Sequence, residues 1–556
     1  MKRIYSCFAI ILLALQTSVS SAQEKDSVSI ENIKSSEILI NLNFTDSERD
    51  SMLADLYDQL ANYKDLHKYE IKNSIPPAVQ FNPIPVGFDF PDEQKPLKFD
   101  DYSNTKMPED RNALAFYSIG ELAHLIKSQK ISSLELTKFF IERLKKFDPV
   151  LHCVITLTEE RAIKFAKKAD EEIASGNYKG KLHGIPFGVK DLLTVEGYKT
   201  TWGATPFKDQ VINETATVVK KLEESGGVLV AKLTMGALAW GDVWFGGKTR
   251  NPWNTEQGSS GSSAGSASAV SAGLVPFAIG TETWGSIVSP STVCGTSGLR
   301  PTYGRVSRTG AMALSWTMDK IGTIARTTED LAIVFDAIQG EDQIDQTLYN
   351  VPFNYDNEID LSKLKIGYLK NDFDGDYPFH KNDSLALVKM KELGAELIPI
   401  ELPKFDQESL SVYDISFILS AEAAAAFDLL TRSNKDDLLV RQGRNAWPNV
   451  FRSARFIPAV EYINANRLRY ILIQQMEKIM SDIDLYIAPS WVGENLLLTN
   501  LTGHPCVVVP NGFSEEGTPT TFTFIGKLFD EGTILAIAKK YQDATGFQLK
   551  HPEQFK

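Results

Sequence analysis

The stretch "GSSGSSAGSASAVSAGLVPFAIGTETWGSIVSPSTVCGTSGLRPTYGRVSRTG", Gly258 to Gly310, opens as a glycine and serine run and then turns apolar. A flexible linker would lead to a fresh domain boundary, whereas Ala267 to Ile279 continues directly as a segment that must be buried. The run therefore belongs to a folded domain. Two short patterns nearby need weighing. Gly261 to Gly265 fits the G-x-S-x-G elbow with Ser263 at its centre, a motif that requires a preceding strand. The residues before it, "NPWNTEQGSS", are polar and contain a proline, so no strand is expected there. Gly247-Lys248-Thr249 ends like a phosphate-binding loop, but Asp242 stands where its first glycine would be needed. Both patterns read as coincidences.

Outward from this stretch, short apolar runs such as "GIPFGV", "GGVLVA" and "VPFAIG" alternate with helical periodicity, which predicts an α/β sheet enclosed by helices. Before residue 175 helices dominate. Thr45 to Glu48, Ser118 to Glu121 and Ser132 to Glu135 are capping boxes that each open a helical pattern, and Glu159 to Glu172 repeats the periodicity. Between the first of these and the rest, Pro76, Pro77, Pro83, Pro85, Pro91 and Pro96 predict an extended segment. The division expected is a signal peptide over 1–22, a helical and Pro-rich N-terminal extension over 23–108, and one large domain over 109–556.

Composition excludes some classes of function. The 556 residues are 43% hydrophobic and 23% charged, the profile of a globular protein, and 58 Lys+Arg against 71 Asp+Glu gives a formal charge of −13. Phosphate backbones need a basic field, so no nucleic-acid partner is expected. Lys2 and Arg3 precede an apolar run from Ile4 to Leu15, and Ser20-Ser21-Ala22 supplies small residues for cleavage. The run is too short to span a bilayer, so the mature chain is expected in the periplasm or outside the cell, with no membrane span. Cys7 leaves with that signal. Cys153, Cys294 and Cys506 are sparse and odd in number, which predicts small core residues rather than disulfides. His183 precedes the "GIPFGV" run and reads as a loop or core residue rather than the partner of a serine, and His380, His504 and His551 show no metal-ligand spacing, so neither metal nor cofactor is expected.

Taken whole, Gly258 to Gly310 resembles the signature segment of the amidase signature family. "LHGIPFGVKD" resembles that family's lysine strand, and "MDKIGTIART" and "GHPCVVVPNGF" to "ATGFQLKHPEQF" resemble its later blocks, in order. The resemblance runs over about residues 112–553 and implies one α/β/α domain around a central mixed sheet. It implies a serine nucleophile closing "TETWGS", Ser286; a relay serine after a cis peptide bond 24 residues earlier, Ser262; and a lysine base ending "GIPFGVK", Lys190. It also implies an oxyanion hole from the N–H groups of Thr283, Trp284, Gly285 and Ser286. Departures are present: Trp284 replaces a small residue, Val288 stands where many members carry arginine, and Ser260 and Ala264 replace glycines.

Elementary chemistry agrees with these roles. A serine hydroxyl attacks well only when a base takes its proton, and lysine serves as that base only when burial or neighbours lower its pKa. A second hydroxyl can accept on one side and donate on the other. The function expected is an exported amidase that cleaves a carbon–nitrogen amide bond in a small-molecule or peptide substrate through an acyl-enzyme. The branch resembled is that of stand-alone amidases, including peptide amidases. The alternatives are a catalytically silent binding protein on the same fold, a protein like the A subunit of tRNA-dependent amidotransferases, and an esterase using Ser263. Sequence leaves the oligomeric state open.

Overall fold

The computed structural model describes residues 28–68, 70–407 and 409–556; the predicted signal segment and Cys7 lie outside them. Contacts divide the chain into two units. Of the described residues, the smaller comprises those from 28 to Lys72 with Arg455–Ala459, and the larger comprises those of Asn73–Ala454 and Val460–Lys556.

Two helices form the described part of the smaller unit. Thr45 caps the helix Asp46–Leu66 with a reciprocal bond to Glu48, as the capping box predicts. A helix over Ile30–Ile40, capped by Ser29 and Asn32, was not anticipated. Its cap uses asparagine at the third position, outside the Glu/Gln pattern that marks a capping box in sequence. Arg49 joins the two helices through a buried pair with Glu37 at 2.7 Å.

Among the described residues the larger unit is built on fifteen strands: β1 (Val154–Leu157), β2 (Pro186–Lys190), β3 (Val228–Leu233), β4 (Val243–Trp244), β5 (Gly247–Lys248), β6 (Arg250–Asn251), β7 (Asn254–Gly258), β8 (Phe277–Glu282), β9 (Ser297–Arg300), β10 (Lys320–Ala325), β11 (Lys365–Leu369), β12 (Glu396–Ile400), β13 (Leu485–Pro489), β14 (Cys506–Phe513) and β15 (Pro519–Gly526). Eleven of them make one mixed sheet in the order β1-β3-β2-β8-β10-β9-β14-β15-β13-β11-β12, and β4-β5 and β6-β7 are separate ribbons. The predicted α/β architecture with a mixed central sheet is the one observed. "GIPFGV", "GGVLVA" and "VPFAIG" fall on β2, β3 and β8, whose residues are buried throughout, as continuous apolar runs demand.

Phe187 and Phe277 face each other across the parallel β2–β8 pair and stack at 5.4 Å, a contact worth ~0.5–1.5 kcal/mol beyond burial. This register sets the ends of β2 and β8 side by side. Behind them lies the helix Ala264–Ser271, whose residues are all buried. Its "AGSASAVS" sequence explains that placement: only small side chains let a helix sink this closely against a sheet. The predicted helices after Ser118 and Ser132 span Ile119–Lys127 and Ser133–Leu151, each with its capping box formed, and the Glu159 pattern gives Glu159–Ala174.

Candidate active site

Lys190 is the last residue of β2 and is fully buried. Its Nζ donates to Ser262 Oγ at 2.8 Å and Thr281 Oγ1 at 2.8 Å, with Ser263 Oγ at 3.2 Å and the Thr281 carbonyl at 3.4 Å. Every acceptor is uncharged. Burial pushes the amine down to about 7, opposed by the more remote carboxylates of Asp319 and Glu282. Asp191, the next residue, does not pair with it; that carboxylate is ion-paired with Lys232 on β3 at 2.9 Å.

The Gly261–Ser262 peptide is cis. Glycine is required at 261 because a Cβ there would lie 1.9 Å from the Gly241 carbonyl oxygen. Ser286 is brought beside this turn by its main chain, its carbonyl accepting from Ser263 N–H at 3.2 Å. Among the described residues no hydrogen bond joins the Ser262 and Ser286 hydroxyls. Contacts of this kind commonly tighten only when substrate arrives.

The turn carrying Ser286 is held by Glu282. Its carboxylate accepts from Ile287 N–H at 2.8 Å and Val288 N–H at 2.9 Å, and also binds Arg300 at 2.7 Å and Asn500 at 2.9 Å. Burial raises this carboxyl, but Arg300 and these donors more than offset it, leaving it below the usual range. Arg300 comes from β9, so the cation near this turn is supplied by a strand while Val288 is simply buried. Gly285 has φ +82, a left-handed conformation suited to glycine. The N–H groups of Trp284, Gly285 and Ser286 have no acceptor among the described residues. Such free donors are what an oxyanion hole needs.

Ser263 belongs to the scaffold. Its hydroxyl accepts from Thr281 N–H and donates to the Thr281 carbonyl, both at 3.1 Å. One expectation about its surroundings is corrected: a strand, β7, does precede the "GSSAG" turn, and a helix follows it. That strand pairs only with β6 in a two-stranded ribbon, so its polar "NTEQG" sequence carries no apolar alternation by which to predict it. Thr281 and Glu282 are site residues that sequence reasoning missed; their place five and four positions before Ser286 was the available signal.

Asp319 also borders the site, accepting from Thr283 Oγ1 at 2.6 Å and from Leu314 and Ser315 N–H groups. A cleft of about 530 Å³ reaches the cluster through Thr281, Thr283 and Asp319, and residues 73–81 contribute to its lining. His183 is buried against Glu172 and the Lys179 N–H, away from the serines. Cys153, Cys294 and Cys506 are free and buried, in line with core roles. No cluster of metal ligands occurs among the described residues, and none of their helices is long and apolar enough to cross a membrane.

Fold and site define an α/β protein with a buried lysine and serines gathered at the ends of β2 and β8. The sequence profile of the Amidase family matches residues 135–498, and the chain belongs to that amidase signature family. It is 31% identical over 487 residues to the A subunit of the glutamyl-tRNA(Gln) amidotransferase from Carboxydothermus hydrogenoformans, covering 79% of this chain and 99% of that one. The native peptide amidase of Stenotrophomonas maltophilia superposes with a TM-score of 0.68 at 26% identity, over 78% of this chain and 98% of its own. An amidase family protein of Bacillus anthracis gives 0.68 at 27% identity, over 79% and 92%. Membership implies amide hydrolase or amidotransferase activity.

Proposed function

We propose that this protein cleaves amide bonds through an acyl-enzyme on Ser286, with Ser262 as relay and Lys190 as base. The observation that carries this reading is a fully buried lysine, poised near neutrality, donating at 2.8 Å to the serine beside the Ser286 turn. Ser286 Oγ attacks the carbonyl carbon while its proton passes to Ser262 and the Ser262 proton passes to neutral Lys190. The N–H groups of the Thr283 to Ser286 turn, those of Trp284, Gly285 and Ser286 being free of other acceptors, receive the oxyanion. Lys190 returns the proton through Ser262 to the departing nitrogen, and the amine leaves. Water then repeats the sequence and releases the acid. Labelling with a small fluorophosphonate followed by peptide mass spectrometry tests the assignment: the adduct belongs on Ser286, and an adduct on Ser262 or Ser263 overturns it.

Two readings of the physiological reaction share this chemistry. The curated relatives favour a protein like the amidotransferase component, with the amide nitrogen passed on to a second acceptor. The charged start, short apolar run and small residues of 1–22 favour an exported hydrolase instead, since charged tRNA is not available outside the cytoplasm. N-terminal sequencing of the mature chain separates them. A start near Gln23 supports the exported amidase, and a retained Met1 together with glutamine hydrolysis supports the amidotransferase-like reading.

A further inference from the structure

Three large aromatic side chains stand partly exposed around the Ser286 turn. Trp284 is 38% exposed, Tyr413 47% and Trp491 49%. They come from three separate segments: the turn itself, the short helix Val412–Ile415, and the loop after β13. Trp284 and Tyr413 approach to 6.0 Å between ring centroids at 44°. Trp491 and Leu496 lie against Gly285 of the turn, where an added Cβ would meet Leu496 Cδ2 at 3.1 Å and Trp491 Cη2 at 3.5 Å.

These positions are held in place. Tyr413 Oη donates to the Gly493 carbonyl at 2.9 Å, and Val412 N–H donates to Glu494 Oε1 at 3.2 Å, tying the tyrosine helix to the loop that carries Trp491. Exposed aromatic surface at three points around the Ser286 turn, with the tyrosine helix and the Trp491 loop tied to each other by polar bonds, is the composition of a ligand pocket wall. The charge behind the rings limits the ligand further. Glu494 belongs to that loop, and Asp372 lies against Gly493 with its carboxyl raised to about 6 by burial and by Glu494. A carboxylate-bearing group would meet like charge here.

We infer that Trp284, Tyr413 and Trp491 form a subsite for an uncharged aromatic group flanking the scissile amide. This inference rests on the Ser286 hydrolase reading. The ring could belong to the acyl part or to the amine part, and substrates in matched pairs distinguish the two: phenylacetamide against acetamide, and N-benzylacetamide against N-methylacetamide. The expected result is a kcat/KM at least tenfold higher for the ring-bearing member of one pair. Trp491→Ala abolishes that preference, lowering kcat/KM for the ring-bearing member about tenfold more than for its small partner, and Trp491→Phe keeps most of it. Equal values within both pairs, or a preference that survives Trp491→Ala and Tyr413→Ala alike, overturns the subsite. The small fluorophosphonate supplies the independent control. Ser286 labelling without ring preference removes the subsite and leaves the hydrolase reading intact, whereas absence of labelling removes both.

Discussion

Two lysines at the ends of adjacent strands are equally buried and differ in every partner. Lys190 on β2 meets hydroxyls and a carbonyl, whereas Lys232 on β3 pairs with Asp191 at 2.9 Å and also donates to Thr200 Oγ1 and the Lys199 carbonyl. The β2–β3 register explains the split. Val189 lies opposite Lys232 and Lys190 opposite Leu233, so Lys232 shares a face with Val189 while Lys190 projects to the other one. Asp191, one residue on, falls on the Lys232 side. Strand alternation therefore keeps a carboxylate adjacent in sequence away from Lys190. Burial lowers both amines, but only Lys232 has a contacting carboxylate to offset it. The same residue type is ion-paired with a carboxylate in one place and held among uncharged hydroxyls in the other.

The largest effect that tests this contrast is expected at the nucleophile. Ser286→Ala removes turnover and fluorophosphonate labelling while the thermal midpoint stays close to wild type, because the hydroxyl makes no hydrogen bond among the described residues. Lys190→Arg comes next. Guanidinium retains charge and donors but stays protonated, so turnover falls by ~10²–10⁴ at every pH. Substantial activity in that variant would place Lys190 in the structural class with Lys232.

Lys232→Met probes the other member and should act on stability alone. Leaving Asp191 buried without its partner costs about 3–5 kcal/mol. Thermal or urea unfolding reads that loss, and the pH midpoint of activity at low temperature stays where it was. A shifted midpoint would show that the two lysines are electrically linked. In the wild type, activity is expected to rise as Lys190 loses its proton and to level off above a midpoint of about 7. Thr281→Val, the mildest change, deletes an acceptor that stabilises the charged amine. It moves the midpoint down by less than about one unit and lowers turnover severalfold. An upward shift would contradict the assigned hydrogen bond.

Helix starts and buried strands were legible because their causes are local. The Thr45, Ser118 and Ser132 boxes each bond across three residues, and β2, β3 and β8 announce themselves as unbroken apolar runs. The Ile30–Ile40 helix and β7 were missed because an asparagine cap and a polar ribbon strand imitate ordinary loop sequence. At the site, the family resemblance named Lys190, Ser262 and Ser286. It did not name Thr281, which holds the amine from 91 residues away, nor the Tyr413 ring beside Trp284 and the Trp491 ring against Gly285.

By itself the sequence determined which segments must be helix or buried strand, and it supplied the lysine, the serines and the glycines that their turns require. Only the tertiary structure decided which of two neighbouring lysines lies beside a carboxylate and which lies beside hydroxyls. That choice depends on strand register and on closing loops of more than seventy residues, and a protonation state follows the charges around it in space, not along the chain.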